Sequence, residues 1–416
     1  MSDRVIIVGG GPAGLMAAGR AAESGAQVLL IEKTPRLGNK LRLTGGGRGN
    51  VTHAGDACSI AAHLGPNGSV LLPALQCFGP RELIAFLREH DVPVVIEPDG
   101  RVFPSSRNAH TVLAALRAWC LAQRVTFRYR SPVSAVALAD GDVTGIVVDD
   151  LTITAGAVVL ATGGMSYPNT GSTGDGYLMA ERLGHRIVPA APGLVPLVAS
   201  DAWVPALAGV SLTDVGLHAL HGEHPLTAGR GDILFTSYGL SGPAVLDLSS
   251  AISRAFERGA VRLLIDLAPD TTTEALDEAL QRAFRVAGRS SLNSVLQGQA
   301  PASVIVVLQR LACIEPGRPV AELSAADRHR VVSLLKGLKL HLVATRPLQE
   351  AMVTLGGVAT EEIEPLTMAS KLVHGLYFAG ELIDVAGDSG GYNLQAAFST
   401  GRLAGESAAL AVLGAR

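Results

Sequence analysis

The 416-residue chain is too long for one ordinary hydrophobic core and implies two or three domains. With 48% hydrophobic and 17% charged residues it reads as globular rather than disordered. A formal net charge of −3 without a Lys/Arg block argues against a nucleic-acid partner, and no apolar run approaches the roughly 18 residues that would span a membrane.

Val5-Ile6-Ile7-Val8 is a short β-branched run that suits a strand buried on both faces. It is too short for the apolar region of a secretory signal, so the protein is read as cytoplasmic, with Cys58, Cys77, Cys120 and Cys313 as reduced core thiols. Gly9, Gly11 and Gly14 then form GxGxxG, with Pro12 and Ala13 inside it. An Ala-rich helix runs to Ser24, and a second strand over 27–31 ends at Glu32. Gly9 permits the tight turn, Gly11 lets the backbone approach a pyrophosphate, and Gly14 lets helix and strand pack closely. The helix N-terminus offers free N–H groups to phosphates, and Glu32 can accept from ribose hydroxyls. This unit fits NAD and FAD equally.

The next stretch, 38–50, is glycine-rich and basic (GNKLRLTGGGRGN) where an NAD-only domain would continue into its next helix. Such a loop can wrap a diphosphate and bring backbone N–H groups to a flavin ring. Further along, 158–164 reads as a buried strand ending in a glycine turn, and TGSTGDG leads into a helix over 177–183. Near the C-terminus the strand LYFAGE precedes GDSGGYNLQ and a helix through Ala411. That last N-terminus would stabilise negative charge on a flavin pyrimidine ring.

The flavin-binding pieces occupy 1–190 and 346–416, which leaves 191–345 as an inserted domain. Its first part, about 191–240, alternates short apolar runs and turns in the manner of a small antiparallel sheet or barrel. Its second part, about 241–340, reads as helical. It holds no second GxGxxG, so any nicotinamide donor (NADH or NADPH) would bind transiently. His218, His221 and His224 are spaced by three, but the surrounding glycines and proline indicate a hairpin, where such residues face opposite sides; no metal is assigned.

The constellation GGGPAG, LTGGGRGN, ATGG, TGSTGDGY, LFTSYGLSGPA, TLGGV and FAGELIDVAGDSGGYNLQ resembles the HI-0933-like family of bacterial flavoproteins, a group of two-dinucleotide-binding-domain oxidoreductases that includes bile-acid-dehydroxylation reductases and aminoacetone oxidases. The resemblance runs from residue 5 to about 405. It implies an α/β fold, with a glutathione-reductase-type Rossmann FAD domain carrying an inserted barrel-like and helical domain. It also implies FAD, with contacts from Gly9, Gly11, Pro12, Ala13, Gly14, Glu32, Lys33, Lys40, Thr44, Gly45, Gly46 and Asn50; no His sits in a motif for covalent flavin attachment, so the FAD is read as non-covalent. Val133 would meet adenine through its backbone, and Ala161, Thr162 and Gly163 would pass the diphosphate. Gly380 and Glu381 would meet the ribityl chain, and Asn393, Leu394 and Gln395 the flavin ring. The family usually has Cys after the Arg of TGGGR; this chain has Gly49, so thiol chemistry is absent there.

Tyr392, Asn393, Tyr167 and Arg48 are the candidate catalytic groups, each with a competing reading as packing or cofactor contact. Asp384 and Asp388 read as turn formers. The expected activity is hydride transfer through flavin N5, as NAD(P)H-linked reduction of an activated C=C in a small molecule. The alternatives are a flavin-dependent oxidase of a small amine or ketone, and a non-catalytic flavoprotein or redox sensor. A tRNA-modifying flavoprotein is disfavoured by the lack of a basic region.

Overall fold

A computed structural model describes residues 3–414. Two compact units divide the chain: residues up to Ala191 together with those from Leu348 onward, and Pro192–Pro347.

The first unit is built on β1 (Arg4–Val8), α1 (Pro12–Glu23), β2 (Gln27–Ile31), β3 (Thr126–Arg128), β4 (Ala157–Leu160), β5 (Leu376–Phe378) and α2 (Tyr392–Gly414). The strands form one parallel sheet in the order β3-β2-β1-β4-β5. The order reverses between β1 and β4, and such switch points are where ligands sit, beyond the carboxyl ends of the strands. Val5, Ile6 and Ile7 have no exposed surface, and neither do the last three residues of β4, as expected of strands covered on both faces. β-branched and Leu side chains suit such positions, because their bulk packs against helices on either side.

Two glycines set how α2 lies on α1. A Cβ on Gly401 would stand 2.3 Å from the Ala13 carbonyl oxygen, and one on Gly405 would stand 2.2 Å from that of Ala17. The two helices therefore run parallel with their backbones in contact, which no larger residue permits.

The second unit contains a closed six-stranded barrel whose strands run, in order, 197–199, 239–241, 224–235, 211–221, 261–266 and 338–345. Helices 243–255, 273–287, 302–311 and 325–336 share its core. Two barrel strands, 261–266 and 338–345, thus arise within or beyond the stretch read as helical. The second alternates buried and exposed residues and the first alternates buried and half-buried ones, a period-two signal that the neighbouring helices masked. His221 pairs with His224 at the tip of the 211–221/224–235 hairpin.

Only Cys120 among the four cysteines is buried; Cys58, Cys77 and Cys313 are exposed, so the reading of all four as core thiols is corrected. Burial pushes the Cys120 thiol up to about 12. Among the described residues no single helix is long and apolar enough to cross a membrane.

His185 carries a pH dependence. Its side chain is fully buried, with Nδ1 3.1 Å from Glu362 Oε2 and Nε2 2.9 Å from Ser370 Oγ. Burial lowers its pKa from the ordinary value, and Glu362 only partly opposes this. A depressed histidine stabilises the fold in its neutral form. That contribution is complete above the unfolded value of roughly 6.5 and is lost as pH falls below it. Thermal unfolding of the wild type should therefore weaken between pH 7 and 5 more steeply than that of His185→Gln; equal slopes would remove this assignment.

Candidate flavin site

The glycine loop closes the end of β1. Gly9 has φ +108°, and a Cβ there would lie 2.4 Å from the Ala161 carbonyl oxygen at the end of β4. Gly14 is tighter: its Cβ would lie 1.8 Å from the Gly9 carbonyl oxygen. A Cβ on Gly11 would meet nothing within 4 Å. Pro12 occupies the first turn of α1, where its missing N–H is no loss, and no side chain caps that helix. The first-turn N–H groups of α1 therefore point out of the loop as an anion site.

Glu32 closes this half. Oε2 accepts from the Gly10 N–H at 2.8 Å and Oε1 from the Thr34 N–H at 2.7 Å. These bonds orient the carboxylate and leave lone pairs for hydroxyl donors. The Ser131 N–H donates to the Glu32 carbonyl, so the segment leading to Val133 runs alongside, while Val133 itself pairs with Val148. Lys33 points elsewhere: its ammonium binds Thr173 Oγ1 and, at 2.5 Å, Asp175.

Residues distant in sequence meet here. Lys40 Nζ lies 2.6 Å from Glu381 Oε2 and 2.6 Å from Ser166 Oγ, and Glu381 Oε1 accepts from the Thr354 N–H at 2.8 Å. Glu381 thus spends its carboxylate on this cluster. Burial, with Glu381 and Asp384 adding to it, pushes the Tyr177 phenol well above its usual value. It stays a neutral donor 3.3 Å from the Glu381 carbonyl. A Cβ on Gly380 would stand 2.8 Å from Ala13 Cβ, so the start of α1 and the C-terminal block touch. Gly163, with φ +75°, turns the chain beyond β4.

The second half lies at the N-terminus of α2. Gly401 is level with Ala13, so Tyr392 stands about nine residues, or roughly 14 Å, beyond the start of α1. There the two most specific blocks converge. A Cβ on Gly391 would lie 2.4 Å from the Thr52 carbonyl oxygen. Thr52 Oγ1 donates to Gln395 Oε1 at 2.6 Å, while Gln395 Nε2 donates to the Phe78 carbonyl and to Ser399 Oγ. Gln395 is completely buried. Asn393 is equally committed: Oδ1 accepts from the Gly387 N–H, and Nδ2 donates to the Gly387 and Asp388 carbonyls. The side chains of Gln395 and Asn393 hold the loop and helix in place, so contact with a ring would come from first-turn N–H groups around Asn393 and Leu394.

Thr44, Gly45 and Gly46 form a kinked turn in which both glycines take left-handed φ, 57° and 67°. Thr44 Oγ1 turns inward to the Leu41 carbonyl. Arg48 braces this turn. Its Nε donates to the Gly45 carbonyl, and its guanidinium lies 4.6 Å from the Phe103 ring centroid, with that of Arg107 at 4.8 Å. Gly49 has φ +80°, and a Cβ there would stand 2.9 Å from Ala109 Cα, so no cysteine fits without rearrangement. Tyr167, at φ +51°, opens the short 168–170 turn. The Tyr392 ring is enclosed between two histidines.

Whether these residues fit FAD can be judged from atoms left unsatisfied. Buried polar atoms without partners are uncommon in folded proteins. Four side-chain atoms are of this kind among the described residues: Arg20 Nε, Arg42 Nε, Asn50 Oδ1 and Thr162 Oγ1. Three belong to the glycine-rich block or the turn after β4. Together with the open cradle at Gly11 and Gly46, they fit a dinucleotide laid from α1 to α2. A cavity of ≈ 320 Å³ lined by Arg20, Phe78, Phe86, His90, Trp119 and Arg402 contains none of the candidate residues. Sequence reasoning missed Thr52, His53, His63 and Ser166, which lie outside the quoted motifs and reach the site only through tertiary contact, and Thr354, which opens the TLGGV block but was given no role.

The chain is similar to known proteins over nearly its whole length. The chain is 32% identical over 412 residues to "3-dehydro-bile acid delta(4,6)-reductase" of Clostridium scindens, covering 98% of this chain and 99% of that one. It is 34% identical over 400 residues to "Ribosomal RNA dihydrouridine synthase" of Escherichia coli, covering 95% of each. The fold is shared with 3-ketosteroid-delta4-(5alpha)-dehydrogenase of Rhodococcus jostii at a TM-score of 0.50 and 18% identity, covering 98% and 96% of the two chains. The dihydrouridine synthase overturns the expectation that nucleic acid plays no part. Net charge is a sum over the whole chain; it governs non-specific attraction to a polyanion and is silent about a local site. The HI0933-like protein Rossmann domain profile matches residues 3–407, and the chain belongs to that family as an FAD-dependent oxidoreductase.

Proposed function

We propose that this protein saturates a C=C bond conjugated to a carbonyl, and that its substrate is a uridine in ribosomal RNA. The observation carrying this reading is that two relatives, each matched over nearly the whole chain, bear names describing one chemistry. A 4,6-unsaturated 3-oxo steroid and the uracil ring both present an electron-poor C=C next to a carbonyl. The ribosomal substrate is preferred on the higher identity, 34% against 32%. A ribosomal substrate would place the protein in the cytoplasm.

When bound, FAD supplies hydride transfer at N5. The chain's own residues would do the positioning. The N–H groups at the start of α1 and the Glu32 carboxylate would hold the diphosphate and ribose. The buried Gln395–Thr52 link would hold the first turn of α2 against the flavin. Reducing equivalents would come from NADH or NADPH binding transiently, since the chain has one GxGxxG.

The test incubates the FAD-loaded protein anaerobically with NADH or NADPH and ribosomal RNA from cells lacking the protein, then measures dihydrouridine by nucleoside mass spectrometry. Dihydrouridine should appear only with a donor present, and should fall as salt rises. Formation of none, with turnover of a 3-oxo-4,6-diene bile acid instead, would transfer the assignment to a steroid-type enone.

A further inference from the structure

Saturating a conjugated C=C requires a proton as well as a hydride, and Asn393, Gln395 and Glu381 spend their polar atoms on internal bonds. The Tyr392 ring is sandwiched: the His53 imidazole stacks on it at 4.9 Å and 15°, and the His63 imidazole at 4.4 Å and 18°. The two histidines are held differently. His53 is tied at both nitrogens, with Nδ1 2.9 Å from the Ala54 carbonyl and Nε2 2.8 Å from the Asp99 carbonyl. His63 is tied at one: Nδ1 lies 2.8 Å from Asp388 Oδ2. Its Nε2 has no partner among the described residues, and the side chain is 49% exposed.

The clamp on His63 is built from both ends of the chain. The Asp388 N–H donates to the His63 carbonyl at 3.0 Å. Gly387 lies so close that a Cβ would stand 2.6 Å from the same oxygen. Asn393 braces 387–388 from the helix side. A carboxylate accepting from Nδ1–H fixes that tautomer and makes Nε2 the nitrogen that gains and loses a proton. The titratable groups facing His63 are Asp388 at Nδ1, Tyr392 on the ring face and His53 beyond Tyr392.

We propose that His63 is the proton donor of the reductive step and that Asp388 is its positioning residue; this rests on the C=C reduction proposed above. The carbon β to the carbonyl accepts hydride from reduced flavin, which is thereby oxidised by two electrons. The α carbon takes the proton from His63 Nε2–H, and the imidazolium left neutral is reprotonated from water at its exposed edge. General acid catalysis of this kind contributes about 10²- to 10⁴-fold.

The test uses full-length His63→Gln and Asp388→Asn proteins, checked for FAD content and thermal unfolding. Flavin bleaching by NADH or NADPH should match the wild type within about 2-fold. Reoxidation by whichever acceptor the wild type accepts, the ribosomal RNA or the 3-oxo-4,6-diene, should slow by about 100-fold or more in His63→Gln and lose its pH dependence. Independently of activity, ¹⁵N-histidine NMR of the flavin-free protein should find neutral His63 protonated on Nδ1, and Asp388→Asn should shift it towards Nε2. If the wild type accepts electrons into neither acceptor, both the functional reading and this role fall. If the wild type works and His63→Gln reoxidises as fast, or if neutral His63 carries its proton on Nε2 with Asp388 present, only this role is overturned.

Discussion

Gly11→Ala is expected to yield a normally folded protein that no longer retains FAD, whereas Gly14→Ala should damage the fold itself. The difference comes from what each added methyl would meet. Gly11 has φ −79° and ψ −176°, an extended conformation open to any residue, and its Cβ would meet no protein atom within 4 Å. The substitution therefore leaves the polypeptide unstrained and places a methyl in the cradle where a diphosphate must approach the backbone. A loss in FAD affinity of about 100-fold or more, roughly 2.7 kcal/mol, is expected by isothermal titration, with the unfolding temperature of the flavin-free protein unchanged. At Gly14 the Cβ would stand 1.8 Å from the Gly9 carbonyl oxygen. Neither backbone atom can yield without moving α1 off the sheet, and overpacking of this kind costs about 1–3 kcal/mol or more. Flavin-free Gly14→Ala should thus melt lower than wild type. If Gly11→Ala kept bound flavin at wild-type affinity, the assignment of this loop to the cofactor would be lost.

Gln395→Leu is expected to destabilise the protein by about 2–3 kcal/mol and to weaken FAD binding as well. Gln395 is completely buried and makes three hydrogen bonds, to Thr52, Phe78 and Ser399. Leucine fills similar space but satisfies none of them. The Phe78 carbonyl keeps the Ser399 hydroxyl at 2.6 Å, and the Thr52 hydroxyl can fall back on the His53 carbonyl at 3.3 Å, so the penalty stays below that of three orphaned groups. The cofactor effect has a separate origin. The Thr52–Gln395 hydrogen bond ties the strand that follows the glycine-rich block to the first turn of α2, and without it that turn is held less firmly against the strand. Urea unfolding of the flavin-free protein isolates the first effect, and FAD titration measures the second. A variant as stable as wild type would show that the network contributes nothing net.

Much of the first unit was legible in the sequence. The strand–glycine–helix–strand–Glu32 run follows from local rules: buried strands need β-branched residues, a tight turn needs glycine, and a helix opens well on proline. The inserted barrel was half legible. Its early strands stand between turn signals, but 261–266 and 338–345 are single strands between helices and complete the barrel only by long-range pairing. The expectation about nucleic acid failed because it rested on a charge total, which carries no positional information.

The sequence by itself determined the family, the fold class and the identity of the glycines, because each of these depends on residues near one another in the chain. Only the tertiary structure decided which side chains are free to act. Asn393, Gln395 and Glu381 each lie in a motif, yet each spends its polar atoms on internal bonds. His63 lies in none, yet packing against Tyr392 and Asp388 leaves one of its nitrogens exposed. Hydrogen-bonding capacity belongs to a residue type, but whether it is already consumed depends on the folded neighbours, which for Gln395 and His63 include residues more than 300 positions away.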